Sequence, residues 1–163
     1  KDLQQLLSAK VSLLDPKDGA TRGPRQFQED FGFEPSLFPD YQAFVGDSVD
    51  NIPGIRGIGP KAAGALIGQF GSLESVYGAV DAWREAGIKP GSKVSERLLA
   101  ERDQALLFRE ILRLDARVPI SLTLADTRVR PPEPSVLTAG LDAGGLRQGL
   151  GGALTAAMES YVG

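Results

Sequence analysis

Apolar side chains recur at helical spacing through most of the first 114 residues, and this pattern predicts a mainly α-helical fold. Prolines open several of the apolar stretches and glycines close them, as at the ends of many helices. The helices predicted in this way cover residues 3–7, 24–31, 35–45, 60–70, 73–77, 81–86 and 92–114.

The rest of the chain shows weaker patterns. Residues 11–14 predict a short buried strand and residues 17–23 a polar loop. Because one strand cannot form a sheet, the strand either has a partner outside this sequence or belongs to a piece of a larger protein, and we favour the second interpretation. Residues 118–134 hold four of the eleven prolines and are predicted to be extended. Leu146, Leu150, Leu154 and Met158 predict a final helix, which seven glycines after Ala139 disfavour.

Composition limits the possible chemistry. The 163 residues, 42% of them hydrophobic, are enough for one domain with a core. The sequence contains neither cysteine nor histidine, which excludes disulfides, thiolate and imidazole ligands, and the usual general base. Any bound metal must therefore be held by oxygen, which favours Mg²⁺ or Mn²⁺. No apolar run is long enough for a membrane helix and no signal segment opens the chain, so we expect no membrane partner.

The charge is unevenly distributed. A net charge of −3 argues mildly against a nucleic-acid binder when the chain is taken as a whole. Residues 52–70, however, carry only positive charge, and residues 84–113 hold seven Lys or Arg against five Asp or Glu. A basic stripe on an otherwise acidic surface is therefore compatible with the sequence.

Residues 47–70 combine two kinds of candidate site. Asp47 and Asp50 place two carboxylates three residues apart, directly before a segment rich in glycine and proline. That segment leads into the helix that begins at Pro60, whose first N–H groups would be free to bind a phosphate. Arg56 and Lys61 lie beside it in the sequence. The stretch thus predicts a phosphate-binding turn preceded by a carboxylate pair.

The same stretch resembles the signature of the bacterial 5′–3′ exonucleases, the 5′ nucleases related to flap endonucleases, which also form the N-terminal region of DNA polymerase I. The shared pattern is GD-x-x-DN-x-PG-x-x-GIG-x-K-x-A, and the segments KDLQQLLS and FGSLESV are similar as well. The resemblance covers roughly residues 1–124. It implies a mainly α fold, the helix–hairpin–helix (helix–three-turn–helix) C-terminal subdomain of a 5′ nuclease. At most a remnant of the parallel sheet of an N-terminal α/β half would accompany it.

The resemblance also implies an activity and its residues. The intact enzyme would hydrolyse phosphodiester bonds of DNA near a 5′ end or flap with two Mg²⁺ or Mn²⁺ ions, in replication and repair. Asp2, Asp47 and Asp50 would be catalytic metal ligands, and a K⁺ ion would sit in the turn at residues 52–59. Double-stranded or branched DNA would be gripped without regard to sequence. The expected DNA-binding residues are Pro53, Gly54, Ile55, Arg56, Gly57, Ile58, Gly59, Lys61, Lys93 and Arg97.

The resemblance further implies a division of the chain: residues 1–16 would end the α/β nuclease core, 17–124 form the DNA-binding subdomain, and 125–163 form an extension packed on it. The family's other acidic ligands and its helical arch would lie in an N-terminal nuclease half that precedes Lys1. We therefore expect this chain alone to bind duplex DNA with little cleavage, as a monomer, in the bacterial cytoplasm near the nucleoid. Whether the intact protein is a stand-alone exonuclease or part of a polymerase stays open.

Simpler interpretations remain beside these. Asp47 and Asp50 could form only a loop and a helix cap, and Asp2 could cap the first helix. Lys93, Arg97 and Arg102 could form a solvated helix face, and Trp83 and Phe108 core. As a function from another class, the chain could be a non-catalytic helix–hairpin–helix module that binds duplex DNA. A degenerate fragment with an unstable front edge is a third interpretation.

Overall fold

The computed structural model describes residues 1–128, 133–145, 152, 153 and 156. It confirms the mainly α-helical fold class. The chain divides into two compact units, residues 1–116 and residues 117–163. The division proposed from the resemblance, at residues 16 and 124, stays a prediction.

The first unit is built from six α-helices and three 3₁₀ helices within the described residues. The α-helices are α1 (Pro24–Phe31), α2 (Phe38–Val45), α3 (Pro60–Phe70), α4 (Leu73–Gly78), α5 (Lys93–Ala100) and α6 (Arg102–Leu112). The 3₁₀ helices are Asp2–Leu6, Pro35–Leu37 and Val80–Ala86. α1 and α3 have the bounds that the sequence predicts, since proline opens each of them and a glycine with positive φ follows.

The strand prediction is wrong in its bounds and its burial. β1 is Leu13–Leu14, and it pairs antiparallel with β2, Thr21–Arg22, in the segment expected to be a polar loop. Leu14 is 67% exposed and Val11 is 42% exposed, so the stretch is not a buried strand. The apolar run predicts a buried strand. In the structure, β1 pairs with β2, and the two form a short, exposed hairpin.

The core lies around α2 and α3. Phe44 of α2 is buried against Tyr77 of α4, and Tyr77 in turn contacts Trp83 edge to face. Trp83 Nε1 donates to the Val76 carbonyl at 2.7 Å, so its polar atom is paired inside the core. A second group of rings, each in contact with several of the others, joins α1 to the start of α2; it comprises Phe27, Phe31, Phe33, Phe38 and Tyr41.

A buried ion pair connects α2 to α4 and α6. Asp40 is 3% exposed, and its Oδ1 accepts a hydrogen bond from Leu73 N–H at the first position of α4. The same oxygen lies 3.5 Å from Arg109 Nη1 of α6, which also pairs with Glu74. Three helices therefore meet at one carboxylate, and these contacts hold α2 against α4 and α6.

The helix predicted over residues 92–114 is two helices instead. α5 ends and α6 begins at Glu101, whose φ and ψ of −98° and 17° are not helical. The two pieces pack against different partners: Val94 of α5 faces the turn around Gly57, whereas α6 packs along α2. The break allows α5 to contact the turn around Gly57 while α6 packs against α2. The apolar stripe alone does not reveal it.

The second unit contains two described helices that the sequence did not predict. A 3₁₀ turn, Leu124–Thr127, is capped by Thr123 and Asp126, and α7 spans Pro134–Ala143. The sequence predicts an extended segment up to Pro134 and a helix only from Leu146, so it misses α7, although Pro134 supplies a normal helix start. The apolar positions of the predicted final helix, Leu146, Leu150, Leu154 and Met158, lie outside the described residues. In the part of the chain that is described, no helix is both long and apolar enough to cross a membrane.

Candidate functional site

The predicted turn is attached to the end of α2 by direct backbone contact. We call residues 52–59 the hairpin loop. Asp47 and Ile52 exchange two backbone hydrogen bonds, of 2.7 and 2.8 Å, and Ile55 N–H donates to the Phe44 carbonyl at 2.7 Å. The loop is therefore closed onto the last turn of the helix that leads into it.

Two glycines make this closure possible. Gly46 and Gly54 have φ of +85° and +67°, a region that L-residues rarely adopt. A Cβ atom on Gly54 would lie 2.5 Å from Gly46 N and 2.6 Å from the Phe44 carbonyl oxygen. A Cβ on Gly46 would lie 2.6 Å from the Ile52 carbonyl oxygen. Glycine is required at Gly54 for contact within the chain, whatever else the loop touches.

The three predicted carboxylates come together beside this loop. One oxygen each from Asp2, Asp47 and Asp50 lies within 4.8 Å of the others. Asp2 belongs to the first 3₁₀ helix, whereas Asp47 and Asp50 follow α2. Asp47 is buried at 4% exposed, Asp2 is half-buried and Asp50 is exposed. Lys1, not Asp2, is the cap of the first helix, so the interpretation of Asp2 as an N-cap is wrong.

The charges around Asp47 keep it ionised. The Lys1 ammonium donates a short hydrogen bond to Asp47 Oδ1, and Val49 N–H donates to the same oxygen at 3.0 Å. The bond from Lys1 lowers the pKa of the Asp47 carboxyl, and the N–H groups of Val49 and Asp50 act in the same direction. That bond likewise raises the pKa of Lys1. An ammonium thus compensates the buried carboxylate.

Gln42 of α2 lies between two of the carboxylates. Its Nε2 donates to Asp2 Oδ1 at 3.2 Å and to Asp47 Oδ2 at 3.3 Å. Gln42 is 4% exposed, and its Oε1 has no hydrogen-bond partner in the described residues. Sequence reasoning missed this residue, because a glutamine five positions before an aspartate carries no signal of its own.

These residues fit a hard divalent cation. Carboxylate oxygens are the ligands that Mg²⁺ and Mn²⁺ prefer, and three of them so close together repel one another unless a cation neutralises them. Gln42, whose Nε2 donates to two of these carboxylates, carries a further oxygen, Oε1, that has no partner in the described residues. Asp2, Asp47 and Asp50 could hold such an ion, which would polarise a phosphate oxygen and activate water.

The hairpin loop presents some of the predicted DNA-binding residues to solvent and buries others. Pro53, Arg56, Gly57 and Gly59 are exposed, as is Lys61 in the first turn of α3. The buried members are Gly54, Ile55 at 2% exposed and Ile58 at 4% exposed. The two isoleucine side chains belong to the core, so those residues could reach a ligand only through their backbone.

The exposed side of the loop carries unused hydrogen-bond donors. Ile55 and Ile58 N–H donate within the chain, whereas the N–H groups of Gly57, Gly59, Lys61 and Ala62 have no acceptor in the described residues. Lys61 and Ala62 open α3, where the positive end of the helix dipole lies. The arrangement resembles anion sites at the N-termini of helices.

Arg97 supports the loop from α5. Its Nη1 donates to the Arg56 carbonyl at 2.7 Å, and its Nε lies 3.7 Å from Glu101. Val94, one turn earlier on α5, would lie 3.3 Å from a Cβ at Gly57. Arg97 is therefore a brace of the loop as well as a cation near it, while Lys93 is exposed at the start of α5.

A comparison with protein families decides what kind of protein this is. The family model described as 5′–3′ exonuclease, C-terminal SAM fold, matches residues 33–135. The chain belongs to the 5′–3′ exonuclease family. The matched range contains Asp47, Asp50 and the hairpin loop, and Asp2 precedes it.

Individual members of the exonuclease family are similar over most of the chain. DNA polymerase I of Rhizobium leguminosarum is 38% identical over 133 residues, 82% of this chain and 12% of that protein. The 5′–3′ exonuclease of Buchnera aphidicola is 30% identical over 126 residues, 77% of this chain and 44% of that protein. The thermostable DNA polymerase I of Thermus aquaticus is 34% identical, with 78% of this chain and 14% of that protein covered. The chain spans less than half the length of each relative.

Proposed function

We propose that this chain is the DNA-binding part of a 5′–3′ exonuclease that hydrolyses phosphodiester bonds of DNA with two divalent ions, in replication and repair. One observation carries the proposal: the turn that the Asp47–Ile52 hydrogen bonds close carries two of the three carboxylates, and the hairpin loop with its exposed N–H groups follows it directly. A nucleic-acid backbone that contacts both would present one phosphate to the amides and another to the ions.

One set of residues would bind the phosphates of the DNA backbone. The N–H groups of Gly57, Gly59 and Lys61 would donate to phosphate oxygens, with the Lys61 and Arg56 side chains adding positive charge. Carbonyl oxygens of the same loop would hold a K⁺ ion against the phosphate. None of these contacts reaches a base, so binding would be independent of sequence and suited to branched or nicked duplexes with a 5′ end or flap.

At the other side, Asp2, Asp47 and Asp50 would hold the divalent ions. When bound, the ions supply Lewis acidity and activated water. Lys1 lowers the pKa of the Asp47 carboxyl, which favours the ionised form that binds a cation. Lys1 would have to give up its contact with Asp47 or share it. Because Mg²⁺ binds poorly to few carboxylates without substrate phosphates, we expect little cleavage by this chain alone.

The grip can be tested by fluorescence anisotropy with a labelled nicked duplex at increasing KCl concentration. We expect binding to weaken steeply with salt, and Lys61→Ala to reduce the slope of log K against log[salt] by about one. The loss should be the same on duplexes of different sequence. Lys17→Ala removes an exposed lysine that is distant in sequence from the loop. It is the matched control and should change neither the affinity for the duplex nor the salt slope. A sequence-dependent loss in Lys61→Ala would exclude a backbone grip.

A second candidate is a duplex-binding module without catalysis. The observation that favours it is that Asp47 is fully paired by Lys1, Gln42 and Val49 without any metal. Mn²⁺ titration followed by electron paramagnetic resonance separates the two candidates. The nuclease predicts Mn²⁺ binding that Asp50→Asn, at an exposed position, weakens with no effect on folding. The module predicts equal Mn²⁺ binding by both proteins, together with unchanged DNA binding.

A further inference from the structure

The first 3₁₀ helix and α2 are joined at the carboxylate cluster by one buried amide. Gln42 Nε2 donates to both Asp2 and Asp47, at 3.2 and 3.3 Å. The two carboxylates come from segments 45 residues apart in the chain, so nothing local fixes their spacing. The amide is the only described side chain that bonds to both of them.

The orientation of this amide is set by its neighbours. Ionised carboxylates accept hydrogen bonds and cannot donate them, so the NH₂ group must face Asp2 and Asp47. Within the described residues, the Oε1 atom is then left buried without a donor. Leaving a buried acceptor unpaired costs on the order of 1–3 kcal/mol. A bound water that supplied the missing donor would remove this cost.

We propose that Gln42 is a positioning residue of the divalent-metal site, which would hold Asp2 and Asp47 at a spacing suited to the ion. The proposal rests on the proposed function, since it requires that these carboxylates bind a metal. α2 is a firm base for this role, because Asp40 on the same helix is fixed by Leu73 and Arg109.

A second glutamine provides a matched control. Gln5, on the same 3₁₀ helix as Asp2, donates to the Leu112 carbonyl at 3.1 Å and accepts from Leu114 N–H at 3.0 Å. It fixes the 3₁₀ helix to the end of α6, and both of its polar atoms are paired without contact to a carboxylate. Replacing Gln5 therefore loosens the same helix but leaves the cluster's hydrogen bonds in place.

The test is Mn²⁺ titration of the 163-residue chain by electron paramagnetic resonance, for the wild type, Gln42→Met and Gln5→Met, with thermal unfolding measured for each. Methionine keeps the length of glutamine and removes both polar atoms. Partners that orient metal ligands typically contribute 10- to 100-fold in metal affinity. We expect Gln42→Met to weaken Mn²⁺ binding by about that factor. The Mn²⁺ affinity of Gln5→Met should stay within about twofold of the wild-type affinity, even if its Tm falls as much as that of Gln42→Met.

Gln42→Glu adds a readout that a merely structural residue would not change. A fourth carboxylate beside Asp2 and Asp47 should lower Tm in EDTA by like-charge repulsion, and Mn²⁺ should raise that Tm by more than it raises the wild-type value.

The outcomes separate this proposal from the one beneath it. Equal Mn²⁺ affinity in Gln42→Met and wild type, with a loss in Asp50→Asn, would overturn the role of Gln42 and leave the metal site standing. Equal affinity in wild type and Asp50→Asn would overturn the metal site and the role of Gln42 together. A loss in Gln5→Met as large as in Gln42→Met would show that loosening the 3₁₀ helix is sufficient, and would also overturn the proposal.

Discussion

Replacing Gly54 by alanine is the sharpest test of how the hairpin loop is held. The added Cβ would lie 2.5 Å from Gly46 N, 2.6 Å from the Phe44 carbonyl oxygen and 2.6 Å from the Val45 carbonyl carbon. All three are backbone atoms of α2 and its C-cap, which cannot move aside as a flexible side chain can. The residue would also keep a φ near +67°, where an L-residue is strained.

The expected loss can be worked from these contacts. A left-handed conformation costs an L-residue about 1–2 kcal/mol, and forcing extra atoms into a packed site costs about 1–3 kcal/mol. Separating the loop from α2 would relieve these contacts but would break the Ile55–Phe44 hydrogen bond. We therefore expect Gly54→Ala to lower the free energy of unfolding by about 2–5 kcal/mol, within the large end of single-mutant effects.

The assay is urea unfolding at 25 °C followed by circular dichroism and by the fluorescence of Trp83, the single tryptophan. Gly59→Ala is the matched control, because its Cβ would meet no described atom within 4 Å and its φ of −90° suits any residue. That control should lose no more than about 1 kcal/mol, the usual difference at an N-cap. Equal losses in the two variants would refute the reasoning, since they would show that close backbone contact at Gly54 does not matter.

Three more predictions follow from the same structure. Arg97→Met should weaken binding of nicked DNA more than Lys93→Met, because it also removes the hydrogen bond to the Arg56 carbonyl. Equal losses in anisotropy titrations would show that Arg97 contributes only its charge. Tyr77→Phe should leave the free energy of unfolding unchanged or raise it by up to about 1 kcal/mol, since the buried hydroxyl has no partner in the described residues; a marked loss would reveal one. Burial raises the pKa of Asp40, so the folded state binds its proton more tightly than the unfolded state, and this contribution is lost as pH rises through the folded pKa. Urea titrations should therefore show wild-type stability falling relative to Asp40→Asn as the pH rises above about 4, the ordinary pKa of an aspartate, and a rise would contradict the sign.

The sequence predicted the elements whose ends are marked locally. Pro24 and Gly32 bound α1, and Pro60 and Gly71 bound α3, as expected from the conformations that these residues favour. Ser72 caps α4 through its side chain, as its position suggested. The carboxylate cluster was also predictable, because the family signature contains Asp47 and Asp50 and the similar segment KDLQQLLS contains Asp2; the structure brings all three together.

What the sequence could not predict depends on contacts between distant segments. The break at Glu101 follows from the different partners of α5 and α6, and the apolar stripe continues through it unchanged. The exposed β1–β2 hairpin looked like a buried strand because apolar residues in a short run say nothing about what covers them. Gln42 and Arg97 act across 40 and 41 residues of chain, on Asp2 and on Arg56, so no local pattern marks them.

The glycines show how one residue type can be kept for two different reasons. Gly54 is needed because its neighbours leave no space, whereas Gly59 has open space around it and an ordinary φ. If Gly59→Ala folds normally but binds DNA less tightly, the space at Gly59 is needed for a phosphate instead. The same substitution that serves as a stability control then reports on the ligand.

The turn that the Asp47–Ile52 hydrogen bonds close has a consequence for where a DNA strand would be cut. Its two mutual hydrogen bonds leave the residues between them little freedom to lengthen or shorten the connection. If the amides hold one phosphate while the carboxylates act on another, the number of nucleotides between the two is fixed by this short piece of backbone. In an intact nuclease, inserting a single residue after Asp50 would then shift the site of hydrolysis along the DNA, or abolish it, although the sequence would keep every proposed metal- and phosphate-binding residue.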